Sequence, residues 1–424
     1  MIRFLLKGLL RDRSRSLFPI LIVTTGVMLI VFLHAWLNGA MSSIMQATAR
    51  FKTGHVCIMS RAYAEKAEQI PNDLALLGID TLLSAVKQNY PDLLWTPRIL
   101  FGGLLDVPDE KGETKEQAPV SGMGVDLLSA DSPEWKILNI RPALVSGALP
   151  ARHGDILIAA GLAEKLHLQP GQQATLISST MYGSMTFANF NISGIVRLGL
   201  GSLDRSAIIV DLFDVQQALD MNSGAGSIIG FFRDDLYHDE QAEIITSNFN
   251  GQHLNTADQF SPIMATLRNA SGLADYLDLI DSISGEVLAI FILIMSIVLW
   301  NAGLIGGLRR YGEIGLRLAM GENKKHVYQS MIFESLMIGI IGSLIGTTLG
   351  LGFAFYLQIY GIDVGSMMKN STMMISDVIR ARVEPLTFVI GFIPGVLATF
   401  LGSAVSGIGI FKRQTSQLFK ELEI

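Results

Sequence analysis

Four apolar stretches, each long enough to cross a membrane, constrain this chain more than any other feature. They cover residues 17–37, 285–308, 328–360 and 385–411. A hydrocarbon core of roughly 30 Å takes about 20 helical residues. Inside it every backbone polar group needs a partner within the protein, so each stretch is expected to be a helix. Half of the 424 residues are apolar and only 17% are charged, which is low for a soluble protein. The net charge of -6 is modest, and no basic tail or aromatic-interleaved basic patch points to nucleic acid. The single cysteine, Cys57, has no partner for an internal disulfide and reads as a small core residue in a strand.

Between the second and third apolar stretches lies a short polar link, residues 309–327. It carries Arg309, Arg310, Arg317, Lys324 and Lys325 against Glu313 and Glu322, a basic excess that places it on the cytoplasmic side. Ile314, Leu318 and, after a break at Gly321, Val327 fall near one helical face. A basic amphipathic helix of this kind can rest on lipid or dock into a soluble partner. An ordinary charged loop whose arginines set the topology is the plainer alternative.

The rest of the chain is read around these spans. Residues 1–16 put Phe4, Leu5 and Leu9 on one helical face with Lys7, Arg11, Arg13 and Arg15 around the rest, an interfacial helix on the cytoplasmic surface. The run that follows exceeds the 7–15 residues of a signal core, so a retained anchor with a cytoplasmic N-terminus is expected, Pro19 lying in its first turn. Residues 38–258 have no span and mix alternating segments (55–60, 96–107, 156–159, 173–178, 187–196, 206–210) with helical patches (80–89, 161–168, 215–219). The expectation is a large α+β extracytoplasmic domain appended to a four-helix membrane protein. Residues 111–117 read as a charged surface loop. Residues 178–186 read as a short exposed hairpin whose Met181, Tyr182 and Met185 suit an adaptable apolar contact with a partner.

From residue 259 to 284, Phe260, Ile263, Met264, Leu267, Leu273, Leu277 and Ile280 recur at near-helical spacing, which predicts a stalk helix leading into the second span. In the third span Gly339, Gly342, Gly346 and Gly350 allow close helix packing, where lipid supplies no hydrophobic drive. Residues 361–384 form an outer loop of balanced charge. Pro394-Gly395 permits a kink in the fourth span, and Lys412, Arg413 and Lys420 return the tail, residues 412–424, to the cytoplasm.

No site for bond-making chemistry is legible. There is no phosphate-loop motif, no Gly-x-Ser-x-Gly, and no His-Glu-x-x-His or paired metal spacing among the seven histidines. A non-catalytic membrane subunit that binds no metal or cofactor of its own is the expectation.

The run Arg310-Tyr311-Gly312-Glu313-Ile314-Gly315-Leu316-Arg317-Leu318-Ala319-Met320-Gly321, then a basic cluster and Phe333-Glu334 entering the next span, resembles the coupling segment of FtsX-like permeases. These are the membrane subunits of MacB-type ABC transporters, a family that includes the lipoprotein-releasing LolC and LolE. The usual form, R-E-I-G-x-L-R-A-x-G, differs in that Tyr311-Gly312 precedes Glu313 and Leu318-Ala319-Met320 precedes Gly321. The large domain carries weaker likenesses: Thr53-Gly54-His55-Val56 resembles the first porter strand of lipoprotein-releasing subunits. Gly147-Ala148-Leu149, Gly154-Asp155-Ile156-Leu157-Ile158 and Gln169-Pro170-Gly171 resemble a further family run.

The resemblance implies a porter/sabre-like domain and an inner-membrane protein, both termini cytoplasmic. It implies a partner ABC ATPase dimer that holds the ATP and Mg, and a second permease copy or paralogue. Glu313, Ile314, Gly315, Arg317, Gly321, Lys324 and Glu334 would form the ATPase-coupling element, transmitting motion to the outer domain. Lipoprotein release from the inner membrane, with a periplasmic carrier or adaptor, is the preferred reading. MacB-like efflux of peptides or small molecules, or FtsX-like regulation of a periplasmic partner, is the alternative. The hairpin at residues 178–186 is shorter than the carrier-recruiting hook of LolC and lacks its proline pattern.

Overall fold

The structure, a computed structural model, describes residues 13–109, 112–253, 257–270, 272, 274, 285–287, 289–301, 316–364 and 376–412. It divides into two compact units: Met1–Ser42 with Asp278–Ile362 and Ile379–Ile424, and Ser43–Leu277 with Asp363–Val378.

The first unit is a bundle of apolar helices. Three are long and apolar enough to cross a membrane: Leu17–Thr53, Lys324–Tyr360 and Thr387–Gly407. The expected span at 285–308 is described as a shorter apolar helix, Gly285–Asn301, and its remaining residues lie outside the described ones. Four crossings are therefore not counted. The expected interfacial helix at 1–16 and the tail at 412–424 lie almost wholly outside the described residues as well.

Two prolines behave differently from expectation. Helix is already formed at Arg13, so Pro19 sits inside it and not in a first turn, removing one N–H from the ladder. The break in the last helix falls at Gly391, between Thr387–Ile390 and Phe392–Lys412, and not at Pro394-Gly395. The cause is Pro394 itself: it offers no N–H to the carbonyl four residues back, at Ile390, and its ring crowds that carbonyl.

Glycines let these helices approach. A Cβ built on Gly342 would lie 2.8 Å from Val23 Cβ, and one on Gly350 2.9 Å from the Met28 carbonyl oxygen and from Val31 Cβ. Gly339 faces Thr399 and the carbonyl of Gly395 instead, and Gly26 receives the thioether of Met295. Val23, Val27, Ile30, Val31, Met295, Leu299 and Ala398 form the buried seam. Apolar side chains on the outer faces, Leu344, Phe353 and Leu397 among them, are exposed, as lipid contact requires.

The second unit is built on a ten-stranded sheet. Its longest strand, Leu93–Pro108, changes partner midway: residues 93–98 pair with Ser227–Phe232, whereas residues 99–108 pair with Thr114–Val125. On the first side Val56–Ser60 and then Pro262–Thr266 continue the sheet, all antiparallel. On the second side the pairing runs from Thr114–Val125 through Ala207–Asp211, Asp155–Ala159, Met185–Val196 and Gln173–Ser179 back to Leu93–Pro108. Six strands thus close into a ring, leaving no open edge. Its core holds Phe101, Leu105, Ile156, Ile158, Leu176, Phe190 and Ile208. Helices Ile79–Asn89 and Asp239–His253 cover the open half, burying Val86, Ala242 and Phe249 with Trp95 and Ile228.

Several expected elements change. Where a stalk helix was expected from residue 259, Pro262–Thr266 is a strand paired with Val56–Ser60, and the short helix Leu267–Ala270 follows it. Ile263 and Met264 alternate across the edge of the sheet there; residues 275–284 of the expected stalk lie outside the described residues. The expected loop at 111–117 is half strand, since Thr114–Val125 begins inside it and forms a hairpin with Leu93–Pro108. Cys57 is buried in a central strand, as its sequence context suggested, paired with Ile229 and Ala265.

Candidate functional site

The polar link folds into a knuckle. Residues 316–319 are helical; the Met320 N–H then bonds the Leu316 carbonyl and the Gly321 N–H the Leu318 carbonyl at 3.1 Å. Gly321 takes φ +92°, a conformation closed to most side chains, and there the chain turns. The Glu322 N–H returns to the Arg317 carbonyl at 3.0 Å, and its carboxylate accepts both Nε and Nη2 of Arg317, at 2.7 and 3.0 Å. Asn323 caps the next helix, its Oδ1 accepting from the Lys325 N–H at 3.1 Å. Val327, wholly buried, packs with Leu318 and Met331 beneath the turn.

Residues 316–327 are thus two helix ends locked at a fixed angle, and Lys324 already belongs to the first turn of the long helix Lys324–Tyr360. Glu334 lies half-buried on that helix, further along. Glu313, Ile314 and Gly315 lie outside the described residues. Two residues missed in the sequence matter here. Leu316 is 56% exposed and Met320 73%, one helical turn apart, with Lys325 and His326 exposed after the turn. Periodicity placed Ile314, Leu318 and Val327 near one face and gave no reading of these two; that they point outward follows from where Gly321 ends the helix. A rigid knob of this type offers an apolar pair ringed by cations to a groove on another protein.

The hairpin between Gln173–Ser179 and Met185–Val196 forms as expected, but its three chosen residues separate. Met181 is buried in the core of the six-stranded ring, its N–H bonded to the Leu219 carbonyl at 2.9 Å. Tyr182 and Met185 are exposed, and Phe187 joins them on the same strand. Only the latter two of the expected three are free to meet a partner.

Among the described residues, one group of side chains has the donors to hold a metal ion: His153, Asp211 and Asp214, whose ligand atoms lie within 4.8 Å of one another. His153 is far in sequence from Asp211 and Asp214, so spacing could not reveal the group. The Nδ1 of His153 lies 3.1 Å from Asp214, which also accepts from the Gly154 N–H. Asp211 accepts from the Leu127 and Phe213 N–H groups, and burial raises its carboxyl above the usual range. These bonds account for the cluster as a fastening of the loop before Asp155–Ala159.

Glycine-packed apolar helices, a polar knuckle between them and a large mixed α+β domain define a multi-span membrane protein. Residues 287–415 match the FtsX-like permease C-terminal family. Macrolide export ATP-binding/permease proteins MacB are similar in sequence. The protein of Wolinella succinogenes is 32% identical over 80 residues, and that of Brucella abortus 37% over 81. That of Escherichia coli K12 is 32% identical over 81 residues. Each alignment covers 19% of this chain and 12% of the relative, so the chain matches only a small part of those proteins. The crystal structure of the periplasmic region of MacB from Actinobacillus actinomycetemcomitans aligns with 52% of this chain and 92% of that one. The identity is 12% and the TM-score 0.35. The chain carries an FtsX-like permease domain and is a homologue of the MacB proteins.

Proposed function

We propose that this chain is the non-catalytic membrane subunit of a MacB-type ABC transporter, coupling ATP hydrolysis in a separate ATPase dimer to movement of its α+β domain. The observation that carries the reading is the knuckle at Leu316–Val327, seated inside the FtsX-like segment and continuous with the helix Lys324–Tyr360. Force applied to a knob fixed by Gly321 and the Arg317–Glu322 pair moves the helix it begins, because helix rise per residue is held by backbone hydrogen bonds. The chain sits in the bacterial inner membrane with both termini cytoplasmic and the large domain periplasmic; a second permease copy or paralogue completes the assembly.

The preferred work is lipoprotein release from the inner membrane, a reading supported by the likeness of the runs at Thr53–Val56 and Gly147–Gly171 to lipoprotein-releasing subunits. Tyr182 and Met185 are the side chains offered to a carrier or adaptor. Export of a small molecule or peptide is the second reading, favoured by the macrolide export proteins among its relatives. The test is proteoliposomes holding this chain and its co-purified ATPase, loaded with a triacylated lipoprotein. ATP-dependent transfer of that lipoprotein to an added carrier is expected. ATP-driven extrusion of a macrolide with no lipoprotein transfer would overturn the cargo.

A further inference from the structure

Arg98 and Glu134 are both fully buried and face each other as fork to fork: Nε to Oε1 at 2.8 Å and Nη2 to Oε2 at 2.7 Å. The remaining guanidinium nitrogen, Nη1, donates to the backbone carbonyl of Arg50. Arg50 lies in the π-helical turn Ala49–Thr53 that ends the first long helix, before Gly54 reverses the chain at φ +67°. A wide turn of this sort leaves carbonyls without the usual partner four residues on, and Arg98 supplies one.

The place of Arg98 in its strand is as specific as its contacts. It is the residue at which Leu93–Pro108 changes partner: Arg98 pairs with Ser227, and Ile99 already pairs with Gly124. The guanidinium therefore joins the end of the long helix to the point shared by the open half-sheet and the closed ring. Glu134, held by its N–H to Ser132 Oγ at 3.3 Å, opens the short helix Glu134–Ile137 and fixes the fork from the other side. Burying such a pair gains little stability over apolar residues of the same volume, because desolvation offsets the attraction. What it does give is direction, since a planar fork that is bidentate to one partner aims its third nitrogen along one line.

We propose that Arg98 and Glu134 are a positioning pair that fixes the end of the first long helix to the junction strand, so that displacement of that helix reaches both halves of the domain. The source of the displacement rests on the permease reading above. The test uses the full chain in detergent and in complex with its co-purified ATPase, followed by hydrogen exchange. The variants are Arg98→Met with Glu134→Leu, which removes the pair without leaving a lone buried charge, and Arg98→Lys, which keeps the charge but cannot hold both partners.

In the double variant the melting temperature is expected to hold while the amides of residues 49–54 exchange at least about ten-fold faster, strands 93–108 and 227–232 keeping their protection. In the wild-type complex, addition of Mg-AMPPNP is expected to change exchange in residues 93–108, and in the variant that response is lost at an unchanged ATPase rate. Should the double variant fail to fold, Arg98→Lys is read in the same way. Unchanged exchange at residues 49–54, or a retained nucleotide response with the pair removed, overturns the proposal. A wild-type complex with no nucleotide response defeats the permease reading and the relay together, while faster exchange at residues 49–54 would still show Arg98 fixing the helix end.

Discussion

Gly346 stands so close to Thr24 that a Cβ on it would lie 2.6 Å from the Thr24 carbonyl oxygen, and 2.9 Å from Val27 Cβ. The helices meet backbone to backbone there, and the neighbours on Leu17–Thr53 are rigid. Gly346→Val is expected to cost about 1–3 kcal/mol through overpacking. Gly352→Ala, on the same helix but with open space around it, is expected to be neutral. Thermal melting of the two variants in one detergent checks the difference.

His55 carries an acid sensitivity. Its ring is buried among Phe231, Phe232 and Tyr237, and its Nδ1 accepts the Phe232 N–H at 3.1 Å, a bond only the unprotonated nitrogen can make. Burial lowers its pKa to about 4. Between about pH 6.5 and 4 the unfolded chain takes up a proton that the folded one refuses, so stability falls as pH falls through that window, by up to about 3 kcal/mol. Denaturant melts of wild type and His55→Asn at pH 7 and pH 4.5 should differ: the wild type loses stability from this source and the variant does not.

The Cys57 thiol is expected to be inert. Burial pushes its pKa up to about 12, and the thiolate is the reactive form. Maleimide should label the chain at pH 7.5 only after unfolding. Above about pH 9 the unfolded thiol ionises while the folded one does not, so this residue makes stability fall, not rise, toward pH 12. Prompt labelling of native protein would contradict this.

At the hairpin, Met181→Ala is expected to cost about 2–5 kcal/mol, as for other buried methionines. Tyr182→Ala and Met185→Ala, both on exposed side chains, should shift stability by no more than about 0.5 kcal/mol. If those two also leave transfer to a periplasmic carrier unchanged in the reconstituted system, the hairpin is not the contact.

Much of the membrane part was legible because its physics is one-dimensional: an apolar run must be a helix, and Gly342, Gly346 and Gly350 every four residues must line one face of it. The Gly321 turn was legible for the same local reason. Ile263 and Met264 misled, because a strand at a sheet edge next to helix-forming residues has no distinctive period; their partners, Met59 and Ile58, lie far away in the chain. Arg98 and Glu134 gave no signal either. A lone arginine in an apolar strand cannot be told from a surface residue until its partner, brought in by the tertiary fold, is known. Leu316 and Met320 were not singled out either, because their exposure follows from the turn geometry at Gly321 and not from periodicity.

The central claim is that the Leu316–Val327 knuckle docks an ATPase. The most direct measurement is co-purification of the full chain from native membranes, with ATPase activity assayed in wild type and in a Gly321→Trp, Arg317→Glu variant. The Arg317–Glu322 pair is half exposed and worth at most about 1 kcal/mol, so its loss by itself should leave the chain folded. The account predicts that the wild type brings down an ATPase, and that the variant reaches the membrane in equal amount but without it. An intact wild-type protein that purifies with no ATPase, or a variant that retains it fully, would contradict the account.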